Sequence, residues 1–117
     1  MDSEVKLLLD RADNELLAAK ALKSISEEDA LKNNLAVPSK TTFYSSVISH
    51  AYYSIFYSAM AALLSMGIKI SAPFIHNKAY DKFKNVFVDS GKLDKHILEA
   101  YEKMLIRAED LLQIMKD

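Results

Sequence analysis

The chain has 117 residues, half of them hydrophobic, and its 15 basic and 16 acidic residues leave a net charge of −1. This length predicts a single domain, residues 1–117, with enough apolar side chains for a core and too many for a disordered chain. The balanced charge argues against nucleic-acid binding through bulk electrostatics, and the lack of cysteine excludes disulfides and thiolate chemistry.

The first predicted element is a helix near the start of the chain, which Ser3, or Asp2 just before it, is placed to cap. Its apolar residues recur at helical spacing: Val5, Leu8, Leu9, Ala12, Leu16 and Ala19. The opening stretch MDSEVKLLLDR has no basic segment of the signal-peptide kind, so we expect no signal peptide and a cytoplasmic location. The polar segment SISEEDALKNN predicts the end of this helix and one short further helical turn.

The second long element is free of charge, since no Asp, Glu, Lys or Arg occurs from residue 41 to residue 68. It predicts a helix over residues 41–66 that Thr41 or Thr42 begins and Gly67 ends. Its length would span a bilayer. However, its six serines, two threonines, histidine and four tyrosines make it a poor candidate for insertion, so we expect no membrane partner.

This uncharged helix has two distinct faces when its residues are placed at helical spacing. One face is aliphatic apart from Tyr52 and carries Ile48, Ile55, Ala59, Leu63 and Met66. The opposite face is polar and aromatic and carries Ser46, His50, Tyr53, Ser54 and Tyr57. We therefore expect a central helix that is buried on every side, with the tyrosine face forming the wall of a cleft or a subunit interface.

Two further helices complete the predicted fold. Pro73 is placed as the first residue of one, which ends at Gly91. The last helix starts after Gly91 and has an apolar stripe made of Leu93, Ile97, Ala100, Met104, Ala108, Leu111 and Met115. No segment alternates with period two. The sequence therefore predicts an all-α protein, a four- to five-helix up-down antiparallel bundle.

Four segments of the chain resemble, in order and spacing, the motifs of one known family. They are RADNELLAAKAL, SHAYYSIFYSAMAALLSMGI, IHNKAYDKFKNVFVDSGKLD and LIRAEDLL. In this respect the chain is similar to the HEPN domain family, small helical proteins paired with minimal nucleotidyltransferases. The resemblance implies a homodimer, a nucleotidyltransferase partner in a toxin–antitoxin-type pair, and nucleotide or RNA as a ligand.

The chain departs from that family in the motif that would make it an enzyme. Many HEPN proteins are metal-independent ribonucleases with an Arg-x(4–6)-His motif on the last helix, in which arginine positions phosphate and histidine transfers protons. The two arginines here, Arg11 and Arg107, are not followed by histidine at that spacing. We therefore expect no catalytic residues and a dimeric partner or nucleotide-binding module. The alternative is a divergent ribonuclease with a non-standard His/Arg constellation.

Six residues are candidates for a nucleotide or partner cleft: His50, Tyr53, Tyr57, His76, Arg107 and Asp110. Each histidine also has a structural interpretation, hydrogen bonding to a neighbouring hydroxyl for His50, and capping or helix-to-helix bonding for His76. Arg107 either contacts phosphate or forms an ion pair with Asp110 one turn later. His96 is expected to be exposed. Because the three histidines lie on three different segments, we expect no metal site, and no motif indicates a cofactor.

Overall fold

The computed structural model describes the backbone of residues 2–112 and the side chains of residues 2–106. This part of the chain is helical and contains no strand, which confirms the all-α prediction. The five helices are α1 (Ser3–Glu27), α2 (Asp29–Asn34), α3 (Tyr44–Ser65), α4 (Ile75–Phe83) and α5 (Lys95–Leu112), and a π-helical turn (Lys84–Val88) extends α4.

The packing of α1 on α3 is the most extensive contact between two helices. The buried residues of α1 are seven positions apart: Val5, Ala12, Ala19 and Ser26. A strict seven-residue spacing forms a single seam along a helix, and small side chains on that seam allow a close approach. The two helices run antiparallel, because Glu4 lies near Lys69 at one end and Glu15 contacts His50 further along.

Ser26 at the end of α1 determines where α3 begins. Its hydroxyl donates to a main-chain carbonyl one turn earlier in α1, at 2.7 Å, and accepts the N–H of Phe43, also at 2.7 Å. Phe43 is the capping residue of α3, whose first residue is Tyr44. The prediction that Thr41 or Thr42 begins this helix is therefore wrong by two to three residues: the capping residue is Phe43, whose N–H is bonded to a hydroxyl of another helix.

The predicted helix end at Gly67 is confirmed. Gly67 has a φ of +79°, which favours glycine, and α3 ends at Ser65. Its N–H donates to the carbonyl of Leu64 at 2.9 Å, and the N–H of Ile68 donates to the carbonyl of Leu63 at 2.9 Å. This is the hydrogen-bond pattern of a Schellman motif.

The predicted start of the next helix at Pro73 is wrong, because α4 begins at Ile75. Phe74 adopts a left-handed backbone conformation with a φ of +57°, which interrupts any right-handed helix that includes Pro73. The end of this helical segment agrees better with the predicted end at Gly91. The chain stays helical to Val88, and Gly91, with a φ of +80°, lies in the turn that follows.

The core forms between α3, α4 and α5. Its buried members are Tyr52, Phe56, Ala59, Leu63, Ala79, Phe83, Leu98, Tyr101 and Leu105. On α5 the buried core residues are not those of the predicted apolar stripe, since Ile97 is 48% exposed and Ala100 is exposed. Of the rest of that stripe, Met104 is partly buried against the core and Leu93, before α5, is 37% exposed. The side chains of Ala108, Leu111 and Met115 lie outside the described residues. α5 has apolar residues on two sides, and the side that packs into the core carries Leu98, Tyr101 and Leu105.

The prediction that α3 is buried on every side is also wrong. Four of its serines, Ser45, Ser46, Ser58 and Ser65, are exposed. Within the described residues, α3 is the one helix long and apolar enough to cross a membrane by length and composition. That is weak support for a membrane span, because a core helix meets the same criteria, and four residues of α3 are buried in this core.

Candidate functional site

His76 links α3 to α4 inside the core. It is the second residue of α4 and is buried, and its Nδ1 shares a hydrogen bond of 2.6 Å with the hydroxyl of Tyr52. The ring of Phe56 lies 4.4 Å from the imidazole, measured between centroids, and that of Tyr53 lies 5.9 Å away. These contacts match the predicted helix-to-helix bonding role of His76.

His50 faces α1 and contacts a residue that the sequence analysis did not single out. Its Nδ1 lies 2.5 Å from a carboxylate oxygen of Glu15, and both side chains are largely shielded, at 36% and 25% exposure. A carboxylate at one imidazole nitrogen sets the orientation of the ring and favours the proton on that nitrogen. The predicted partner of His50 was a neighbouring hydroxyl, and the structure has Glu15 instead.

One turn before Glu15 on the same side of α1, Arg11 lies over an aromatic ring of α3. The guanidinium carbon is 5.9 Å from the centroid of Tyr57, a cation–π distance. Tyr57 in turn lies 6.0 Å from Tyr53, with the two rings inclined by 32°. The result is a row along α1 and α3 that contains a cation, two aromatic rings and a carboxylate–imidazole pair.

The structure therefore places four of the six predicted site residues along α3 and α4. Tyr53 lies between the other three, because its ring is near both Tyr57 and His76 and it follows His50 by about one turn. His50 is directed to α1, however, and His76 to the core. Contact of a single ligand with all four residues remains a prediction.

The remaining two predicted site residues are Arg107 and Asp110. Their backbone belongs to α5, but their side chains lie outside the described residues. The predicted phosphate contact of Arg107 and its ion pair with Asp110 remain predictions.

Two core tyrosines are held in their neutral form. Burial raises the pKa of Tyr52 and of Tyr101 well above the ordinary tyrosine value. Within the described part of the chain, the Tyr101 hydroxyl is buried without a hydrogen-bond partner. Tyr80, whose ring packs edge-on against Tyr101, donates to Glu102 at 3.3 Å.

His96 is exposed, as predicted, and belongs to the first turn of α5. A carboxylate oxygen of Asp94 accepts its backbone N–H at 2.8 Å and contacts its Nδ1 at 2.7 Å. The side-chain hydrogen bond that His96 donates to Asp94 raises the pKa of His96, and the hydrogen bonds from His96 lower the pKa of Asp94. This pair caps a helix. Among residues 2–106, no group of three potential ligands is placed to hold a metal ion.

The candidate residues of the sequence analysis include neither Arg11 nor Glu15, and of these two Glu15 has a recognisable signal in the sequence. It lies midway between Leu8 and Leu22, seven residues from each, and its position in the heptad therefore faces α3. Leu16, which the predicted apolar face of α1 included, is 41% exposed. A carboxylate that replaces an apolar residue in such a series indicates a partner on the facing helix.

Comparison of the chain with protein-family models, with curated proteins and with solved structures finds no match.

Proposed function

We propose that the protein is a HEPN-type up-down helical bundle that acts as the dimeric partner, or nucleotide-binding module, of a minimal nucleotidyltransferase. It would work in the cytoplasm, in a toxin–antitoxin-type pair. The order of the four family-like segments supports the family. The role of an interaction module is supported by one observation, the large solvent-exposed area of this small chain.

The exposed area exceeds that of an ordinary monomer. The chain exposes 7406 Å² at a mass of 13.2 kDa, whereas a monomer of that mass exposes about 6,400 Å². Its radius of gyration is 16.0 Å, against about 13 Å for a compact chain of this length. The excess of about 1,000 Å² is close to the roughly 800 Å² that each subunit buries in a standard interface. An area of that size is sufficient for contact with a second copy of the chain.

The surface best suited to a second copy is a groove between α3 and α5, the α3–α5 groove. It encloses about 310 Å³, and its lining includes Ser54, Ser58, Ala59, Ile97, Ala100 and Tyr101. The small side chains of this lining leave the groove open, and Ile97, which also lines it, is 48% exposed. A groove and protruding side chains on one surface suit a two-fold interface, in which each copy provides both.

Light scattering of purified protein tests this proposal. We expect the wild type to have twice the mass of one chain, and Ile97→Asp to be monomeric, because a carboxylate there would be desolvated on association. Leu17→Asp is the matched control, since Leu17 is 64% exposed on α1 and the change is the same in kind. A monomeric wild type, or an Ile97→Asp variant that remains dimeric, contradicts the proposed interface.

The partner is tested separately, by calorimetric titration of the chain with a purified minimal nucleotidyltransferase encoded beside it. Saturable binding with a defined stoichiometry supports the pair. A dimer that binds no such protein at micromolar concentration contradicts the nucleotidyltransferase part of the proposal and leaves the dimer unaffected.

The contact between His50 and Glu15 favours the second candidate, a divergent ribonuclease, because a carboxylate-oriented imidazole is a component of acid–base sites. We nevertheless expect little or no RNA cleavage by the isolated chain, since the Arg-x(4–6)-His motif is absent. Robust cleavage that His50→Ala abolishes would reverse the order of the two candidates.

A further inference from the structure

We propose that Arg11 and Glu15 of α1, together with His50, Tyr53 and Tyr57 of α3, form a binding site for a nucleoside phosphate, the α1–α3 site. This inference rests on the nucleotide-binding part of the proposed function, and it assigns that role to a surface of α1. The ligand is either a free nucleotide or a nucleotide of single-stranded RNA.

Arg11 provides the contact for phosphate. Its guanidinium lies over the ring of Tyr57, at 5.9 Å from the centroid, and its side chain is exposed. Contact with the ring reduces the rotamer freedom that an arginine loses when it binds. The planar guanidinium carries several N–H donors in a fixed arrangement that matches two phosphate oxygens.

Tyr57 and Tyr53 provide the contact for the base. Both rings are partly buried, their centroids are 6.0 Å apart and their planes are inclined by 32°. Partly buried rings keep a fixed orientation and leave part of their area to a ligand. Stacking on aromatic side chains tolerates any base, because every base has a π face. A phosphate and a base of one nucleotide therefore have adjacent contacts on the same pair of helices.

Glu15 and His50 are the positioning residues of the α1–α3 site. Their contact at 2.5 Å joins α1 to α3 one turn from Arg11, and thereby keeps Arg11 opposite Tyr57. Because Glu15 binds Nδ1, the other ring nitrogen, Nε2, is directed away from Glu15.

Binding to three probes tests the site: inorganic phosphate, AMP and a fluorescein-labelled single-stranded RNA hexamer, measured by calorimetry and fluorescence anisotropy at fixed salt. Arg11→Ala and Tyr57→Ala should each weaken binding about tenfold, the loss expected for one charge-assisted contact or one stacked base. Tyr57→Phe should bind like the wild type. Glu15→Gln should weaken binding less than Arg11→Ala, since Glu15 acts through positioning.

The matched control is Lys20→Ala. It removes one positive charge from an exposed position of α1, but nine residues from Arg11, which places it on the opposite face of the helix. Helical content by circular dichroism must be unchanged in every variant that is compared.

The outcomes separate the site from the wider proposal. Preference for AMP over the RNA hexamer, or the reverse, identifies the ligand source and supports the site in either case. If AMP or RNA binds but Arg11→Ala equals Lys20→Ala, the α1–α3 site is wrong and nucleotide binding elsewhere stands. If the wild type binds none of the probes at millimolar concentration, the α1–α3 site and the nucleotide-binding role both fail, while the dimer is tested independently.

Discussion

Two buried tyrosine hydroxyls in the same core allow a sharp test of the hydrogen-bond assignments. The hydroxyl of Tyr52 is bonded to His76 at 2.6 Å, whereas that of Tyr101 is buried without a partner in the described part of the chain. Replacement by phenylalanine removes one hydroxyl in each case and keeps the ring. Tyr52→Phe should lower the free energy of unfolding by about 2 kcal/mol, because a buried imidazole nitrogen loses this bond. Tyr101→Phe should raise it by up to about 1 kcal/mol, because no bond is lost and burial of an unpaired hydroxyl is avoided.

Urea denaturation followed by circular dichroism, at one chain concentration for all variants, measures both effects. The two variants should differ by about 2–3 kcal/mol, which for a chain of this size corresponds to roughly 10 °C in Tm. Tyr80→Phe is the control, since its bond to Glu102 is long and exposed, and its change should stay within about 0.5 kcal/mol. If Tyr101→Phe is as destabilising as Tyr52→Phe, the Tyr101 hydroxyl has a partner and the reasoning is refuted.

Three further predictions concern pH and the ends of helices. Because burial raises the pKa of Tyr52 and Tyr101 above the unfolded value of about 10, their contribution to stability is complete below that pH and is lost as the pH rises above it. Tyrosinate absorbance should therefore show these two ionising only as the helical signal is lost; their ionisation in the folded chain would be the contrary result. Gly67→Ala should cost about 1 kcal/mol through its φ of +79° alone, since an added Cβ meets nothing within 4 Å, and an unchanged urea midpoint would contradict this. Ser26→Ala should cost about 1 kcal/mol, because the part-buried N–H of Phe43, just before α3, loses its acceptor, and a loss below about 0.5 kcal/mol would show that the hydroxyl is dispensable.

The site was only partly accessible to sequence reasoning. His50, Tyr53 and Tyr57 share a face at spacings of three and four residues, so the period of one helix is enough to group them. Glu15 and Arg11 belong to the same surface, but they are more than thirty residues away in the chain. They join the site only because α1 packs antiparallel on α3, and no local pattern specifies that alignment.

What the sequence determined by itself is the helical class and those helix ends that depend on neighbouring residues. Asp2 accepts the N–H of Glu4 at 2.7 Å, and Gly67 ends α3, and both effects act within a few residues of chain. Only the tertiary structure decided which apolar side of α5 is buried. Ile97 and Leu98 are adjacent and similar in hydrophobicity, yet one is 48% exposed and the other 9% exposed. Burial depends on which helix faces a residue, and that is set by the packing of the whole chain.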